Sequence, residues 1–268
     1  MSRTLLKSAA AMAALALGLA ATACNNGTGL APGLSDGVPL ADLDTSGPAP
    51  TRVILAGADT VIVNEGDALT ITADGDADAV AALRFRLEDG TIAVMRERDA
   101  KPKGVATVTI AMPPARELVL AGSGAIRAAT MTDSAEINLA GSGRVAVSRV
   151  AASSLRVNLM GSGTLDAAGT ARQLDFNLAG SGRMASPRLK VDTASITIAG
   201  SGGGEFASDG SVEARIAGSG EVTVNGRATC KISAAGSGKI ICRGADGGAS
   251  TPAAPVAPLA PPQPREPE

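Results

Sequence analysis

The chain has 268 residues, 45% hydrophobic but only 1% aromatic, with 24 basic and 26 acidic side chains and a formal charge of −2. It contains no His, Trp or Tyr, which excludes histidine-based triads, the commonest general base and the commonest metal ligand. With no basic stripe and no aromatic platforms for stacking bases, nucleic acid is not an expected partner.

Met1 to Ala23 reads as a secretion signal: Arg3 and Lys7, an apolar run from Ala9 to Leu19, then small residues. The run is shorter than the ~20 residues that span a bilayer. Ala21-Thr22-Ala23-Cys24 reads as a lipobox, with Cys24 becoming the lipid-acylated first residue and a membrane the partner; Ala21-x-Ala23 also suits ordinary signal cleavage. A secreted protein with an unpaired Cys at that junction would be unusual, so a lipoprotein of the bacterial cell envelope, periplasmic or on the outer-membrane surface, is expected. Without Arg3 and Lys7, 22 basic residues face 26 acidic ones, a charge of −4. Residues 24–50, rich in Gly, Pro, Ser and Asp, are expected to form a flexible tether.

Residues 51–115 read as short, irregular strands and turns. Thr60–Val63, Ala68–Ile71 and Thr91–Val94 are strand-like, and Asn64–Asp67, Ala73–Asp76 and Glu88–Gly90 turn-like. Ala77 to Leu83 suits one or two helical turns. Asp74-Gly75-Asp76-Ala77-Asp78 hints at calcium but lacks the carboxylate spacing and terminal Glu of a calcium loop, so a solvated turn and no metal are expected. This segment is expected to supply opening rungs and to cap one end of the regular repeats from residue 116 onward.

Residues 116–245 repeat one phrase seven times, Gly-Ser-Gly, with its first Gly at Gly122, Gly141, Gly161, Gly180, Gly200, Gly218 and Gly236, at steps of 18 to 20 residues. Two before each first Gly stand Leu120, Leu139, Leu159, Leu178, Ile198, Ile216 and Ala234. The columns four before and four after are likewise mostly apolar, and polar residues fill the places between. That is period-2 alternation on both sides of a glycine corner. A meander would show Asn-Gly-type turns between antiparallel strands; a single corner recurring once per unit predicts a full circuit instead. The fold expected is all-β, one parallel β-helix of rungs of about 19 residues stacked about 4.8 Å apart, coiling right-handed.

The apolar-x-apolar-x-Gly-Ser-Gly repeat after an irregular alternating segment resembles the head GIN domain family of auto-transporter adhesins. The resemblance runs from about Thr51 to Gly244 and implies a β-helical envelope domain. It implies adhesion by name only, and carries no catalytic residues over.

Ser123, Ser142, Ser162, Ser181, Ser201, Ser219 and Ser237 form a column, expected to be structural, its hydroxyls bonding one another and the corner backbone. Three before each Gly run Val119, Asn138, Asn158, Asn177, Thr197, Arg215 and Ser233, read as an amide ladder or a ligand-facing strip. The outward acids Glu117, Glu136, Asp166, Glu205 and Glu213 are dispersed among Arg, Thr and Ala, as solubilising groups are. An ice-binding array would need regular Thr columns, which are missing. Cys230 and Cys242 flank Gly236 six residues to either side, facing inward, as a disulfide of the last rung or as two core thiols. Lys239 to Gly247 are expected to block the second end. Residues 246–268, with a Pro-Ala-rich stretch from Ser250, suit a disordered tail.

No cofactor is expected. The functional expectation is a non-enzymatic envelope lipoprotein with an adhesin-like or scaffolding surface, toward an envelope polysaccharide or a cell-surface protein. The alternative is a polysaccharide lyase or hydrolase on the same scaffold, which would need a deep carboxylate-lined groove.

Overall fold

Alternating side chains separate into an inside and an outside only if the strand is covered on one face, and here each strand is covered by its own continuation one circuit later. The structure, a computed structural model, describes residues 37–98, 100 and 103–244 and the backbone of 249–250. The expected signal, Cys24, the start of the tether and all the tail but 249–250 lie outside the described residues.

After a 3-10 turn at Leu40–Asp42, the irregular segment supplies β1 (Arg52–Gly57), β2 (Thr60–Glu65), β3 (Thr70–Gly75), α1 (Ala77–Ala81), β4 (Leu83–Glu88), β5 (Thr91–Arg96) and β6 (Ala106–Met112). The repeats supply β7 (Ala115–Gly122), β8 (Ala125–Gly141), β9 (Arg144–Gly161), β10 (Thr164–Gly180), β11 (Arg183–Gly200) and β12 (Gly203–Gly218). The last rungs are β13 (Glu221–Asn225), β14 (Thr229–Ala235), β15 (Lys239–Arg243) and β16 (Ala249–Ser250). From β7 to β15 every pairing is parallel and joins residues one circuit apart, so like stacks on like: Gly141 pairs with Gly122 and Gly161, Leu139 with Leu120 and Leu159. The chain is a parallel β-solenoid.

One circuit shows how the core is made. Between Gly141 and Gly161 the buried side chains are Val145, Val147, Val150, Leu155, Val157 and Leu159, each at most 3% exposed. The inward parity slips between Val147 and Val150 and again before Leu155, so each circuit has two bends besides the glycine corner. They coincide with interruptions of the register, as at Asp133/Ser134, and with left-handed residues such as Asp133 (φ 62°) and Gly169 (φ 115°). Neighbouring rungs also trade volume. Phe176 is fully buried, and a Cβ on Gly204 would lie 3.1 Å from its Cε1, so the ring fills the space that glycine leaves.

The two ends differ. At the lower end β5 and β6 make an opening rung under β1 and β2, while β4 and β3 close it as antiparallel strands on β5 and β6. Val38 then bridges Phe85 with two backbone hydrogen bonds of 2.9 and 2.7 Å, and Leu40 and Leu43 pack on the core. The stretch expected as a tether over 24–50 is thus part of the fold from Gly37 onward, because its apolar residues cover β4. The acidic turn is a helix start: the Asp76 side chain accepts the N–H of Asp78 at 3.2 Å and caps α1. At the upper end β16 covers β15, but β14 pairs with β12 alone among the described residues. Its inward Ile232 and Ala234 are only half-buried, where the same columns lower down are closed. The block expected from Lys239 to Gly247 therefore reaches half of the last rung.

Candidate functional site

The glycine corner is a close approach of backbones. Every first Gly has φ between 111° and 136°, and in each case a Cβ would stand within 2.5 Å of the carbonyl oxygen of the corresponding Gly one rung below. That carbonyl is in turn the acceptor for the rung above: Gly122 O takes the N–H groups of both Ser142 and Gly143 at 3.1 Å. The serines between the glycines therefore serve through their backbone. All seven side chains are exposed, and none bonds another, which corrects the expectation of a self-satisfied hydroxyl column. The reason is distance: rungs are about 4.8 Å apart, while an O–H···O bond spans about 2.7 Å. The corner edge thus presents a file of hydroxyls to solvent.

A longer side chain does bridge the rungs. Asn158 Nδ2 donates to Asn138 Oδ1 at 2.8 Å and Asn177 Nδ2 to Asn158 Oδ1 at 3.2 Å. The file ends on carboxylates, with Asn138 Nδ2 donating to Glu136 at 3.1 Å and Glu117 at 3.4 Å. The central asparagines are a ladder, all donating in one direction. Asn158→Ala removes one donated and one accepted bond and is expected to lower stability by about 1–2 kcal/mol. Asn158→Asp, unable to donate, should also destabilise, and a urea midpoint equal to the parent's in both variants would show the ladder to be idle.

Beside the ladder run two further outward columns. Seven before each first Gly from Gly141 onward stand Ser134, Ser154, Gln173, Thr193, Ser211 and Thr229, a hydroxyl and amide column legible in the spacing but not singled out from it. Five before each first Gly stand Glu117, Glu136, Arg156, Asp175, Ser195, Glu213 and Lys231, mixed in charge. Two open depressions of about 350 and 250 Å³ lie along these columns and share Gln173, making one polar furrow parallel to the stack. Over six rungs it is about 24 Å long. Its carboxylates are not gathered: Arg156 stands between the rungs of Glu136 and Asp175, with Nε 3.8 Å from Asp175 Oδ2.

The other acids the sequence singles out each have their own partners. Glu117 pairs with Arg52, Glu213 with Arg215, and Asp166 with Arg188 at 4.0 Å, while Glu205 accepts from Asn225 at 3.1 Å. Asp209, exposed, takes Lys190 Nζ at 2.8 Å and the N–H of Arg227 at 3.1 Å. These hold its carboxyl below the ordinary 3.8, the Lys190 bond most and the Arg227 N–H next. Its contribution to stability is complete above that value and fades as pH falls through the lowered one.

A buried ion pair has no counterpart among the expected sites. Asp59, 1% exposed, occupies the second-glycine place of the lowest corner and forks onto Arg96, Nε to Oδ2 at 2.8 Å and Nη2 to Oδ1 at 2.7 Å. The same Oδ1 accepts the N–H of Ala106 at 2.8 Å, and Arg96 Nη2 also donates to Gly104 O at 2.9 Å. The Asp59 hydrogen bond raises the Arg96 guanidinium above its ordinary value, with partial burial opposing it. The pair ties the chain at both ends of the excursion from β5 to β6. Cys230 and Cys242 are joined in a disulfide across the last corner, with Cα atoms 6.6 Å apart. No group of three or more His, Cys, Asp or Glu that could hold a metal occurs among the described residues.

Solved structures share this solenoid. A putative adhesin from Bacteroides fragilis aligns with a TM-score of 0.64 at 20% identity, over 72% of this chain and 91% of its own. A putative lipid binding protein from Parabacteroides distasonis gives 0.56 at 22%, over 72% and 92%. A putative adhesin from Parabacteroides merdae gives 0.52 at 16%, over 72% and 91%. At these identities the likeness is one of fold. The sequence matches no curated protein. Residues 49–228 match the sequence family described as "Putative auto-transporter adhesin, head GIN domain". On that match, across most of the chain and the whole regular stack up to β13, the protein belongs to the auto-transporter adhesin head GIN domain family.

Proposed function

We propose that the protein is a non-enzymatic binding module of the bacterial cell envelope, held to a membrane by a lipid on Cys24 and presenting the side of its solenoid to an envelope polysaccharide or a cell-surface protein. The observation that carries this reading is the furrow: open, polar, balanced in charge and repeated rung by rung. Such a surface offers hydroxyl, amide and carboxylate contacts along an extended partner without enclosing a reacting group. Membership of an adhesin family and the solved relatives described as adhesins support it.

A lyase or hydrolase needs two titratable groups in different environments converging on one bond. Glu136 and Asp175 do not make such a pair: they stand two rungs apart, about 10 Å, with Arg156 between them. The anchor is tested by the intact mass and membrane partitioning of the protein from its host, beside Cys24→Ala. A diacyl or triacyl mass on Cys24, lost together with membrane association in the variant, is expected; an unmodified Cys24 at the mature N-terminus would remove the anchor. Binding is tested by retention of the full chain on envelope polysaccharide fractions. Arg156→Ala with Gln173→Ala should weaken retention, and release of new sugar ends would instead favour the enzyme.

A further inference from the structure

Past the glycine corner, three exposed arginines have no carboxylate: Arg127 in β8, Arg144 in β9 and Arg183 in β11 form no ion pair among the described residues. Elsewhere on these rungs Arg149 faces Glu65, Arg156 Asp175 and Arg188 Asp166, while Arg172, beside Gln173 and away from this corner, also forms no ion pair among the described residues. The register sets the three relative to one another. Arg144 and Arg183 both pair with Thr164, from opposite sides, so they share a column two rungs apart, about 10 Å. Arg127 pairs with Ala146 and so lies diagonally beside Arg144 on the adjacent rung.

The rung between Arg144 and Arg183 is also marked. It carries Met160, 56% exposed, where every other copy has alanine. The corner serines Ser142, Ser162 and Ser181 run alongside with no internal partner for their hydroxyls. The adjacent column carries two acids, both engaged: Asp166, two residues past Thr164, faces Arg188 at 4.0 Å, and Glu205, diagonally beside Arg183, accepts from Asn225 at 3.1 Å. The column of Arg144, Thr164 and Arg183 itself holds no acid from β8 to β11.

We propose that the corner from β8 to β11 binds an acidic polysaccharide lying parallel to the stack. Arg127, Arg144 and Arg183 take its carboxylate or sulfate groups through their planar forks. The serine hydroxyls meet sugar hydroxyls, and the Met160 thioether covers the apolar side of a ring. A linear polymer fits better than an anionic membrane because the cations stand along a line, and a bilayer-seated surface would add several apolar groups to insert rather than one. The site is separate from the furrow and does not depend on it.

The test uses the full chain by biolayer interferometry on alginate, dextran sulfate and neutral dextran, with phosphatidylglycerol vesicles as a fourth surface. Binding to alginate or dextran sulfate that weakens with added salt is expected, with neutral dextran inert. The variant R127A/R144A/R183A should lose about tenfold or more in affinity, from three exposed charge contacts. R149A, which removes an exposed cation already facing Glu65 and outside both sites, should keep it, so loss of one positive charge does not by itself account for the effect. R144Q/R183Q, which keeps polarity and length, should also lose affinity and guards against misfolding of the triple variant. The proposal is overturned by no binding to either polyanion, by salt-independent binding, by undiminished affinity in both arginine variants, or by vesicles bound as tightly through the same arginines.

Discussion

Gly180→Ala is expected to lower the unfolding free energy by roughly 2–6 kcal/mol, a large part of the 5–15 kcal/mol typical of a folded domain. Two penalties combine. The backbone at Gly180 has φ 125°, a conformation side chains resist, and the added Cβ would stand 2.4 Å from Gly161 O, a backbone atom held in the ladder. Two companion variants separate them. Gly47 has φ 140° with nothing within 4 Å of a Cβ, so Gly47→Ala carries the dihedral penalty alone, about 1 kcal/mol. Gly182 is not left-handed, but its Cβ would meet Leu159 Cδ2 at 2.1 Å and Gly163 O at 2.9 Å, so Gly182→Ala carries the contact alone. Urea unfolding measures all three. Equal losses in Gly180→Ala and Gly47→Ala would mean that rung-to-rung approach does not make the corner need glycine.

Asp59→Ala should cost about 3–5 kcal/mol, the price of leaving one member of a buried ion pair alone. It strands the Arg96 guanidinium, whose side chain is 19% exposed, and leaves the Ala106 N–H without its acceptor. Replacing both members, Asp59→Leu with Arg96→Met, should recover most of the loss, because two apolar side chains carry no charge to desolvate. Chemical unfolding of the singles and the double gives the coupling energy directly. If the double variant is no more stable than Asp59→Ala, the pair is not what closes the lower corner.

The stack was legible because its requirement is the same at every rung: two inward residues, a corner that only glycine fits, then two more. The eighth corner was legible too, yet escapes a search by spacing. Val53-x-Leu55-x-Gly57 obeys the same rule, but Ala58-Asp59 replaces Ser-Gly, and Gly122 follows 65 residues later. Only the stack shows why: the wide excursion from β5 to β6 lies beneath this corner instead of another tight turn, so a Cβ has room and its carboxylate replaces a ladder carbonyl. The two remaining bends left no column, since Gly169 stacks on Val150 at one and Asp133 on Ala152 at the other. The serine column misled because identity at each rung was read as contact between rungs. Asparagine reaches across that gap and serine does not.

The unequal ends of the solenoid give its assembly a direction. Polypeptides are made from the N-terminus, and here the earlier segment holds the closed end, with β3, β4 and Val38 in place before any regular rung exists. Each later circuit then docks on a finished edge with its inward residues already half-covered, so no rung must wait for a distant partner. Cys230 and Cys242 belong to the final circuit, the one made last, and their bond ties the two sides of its corner together. The crosslink thus secures the rung on which no further circuit docks, and its reduction should raise hydrogen exchange first in β14, whose upper side is unpaired among the described residues.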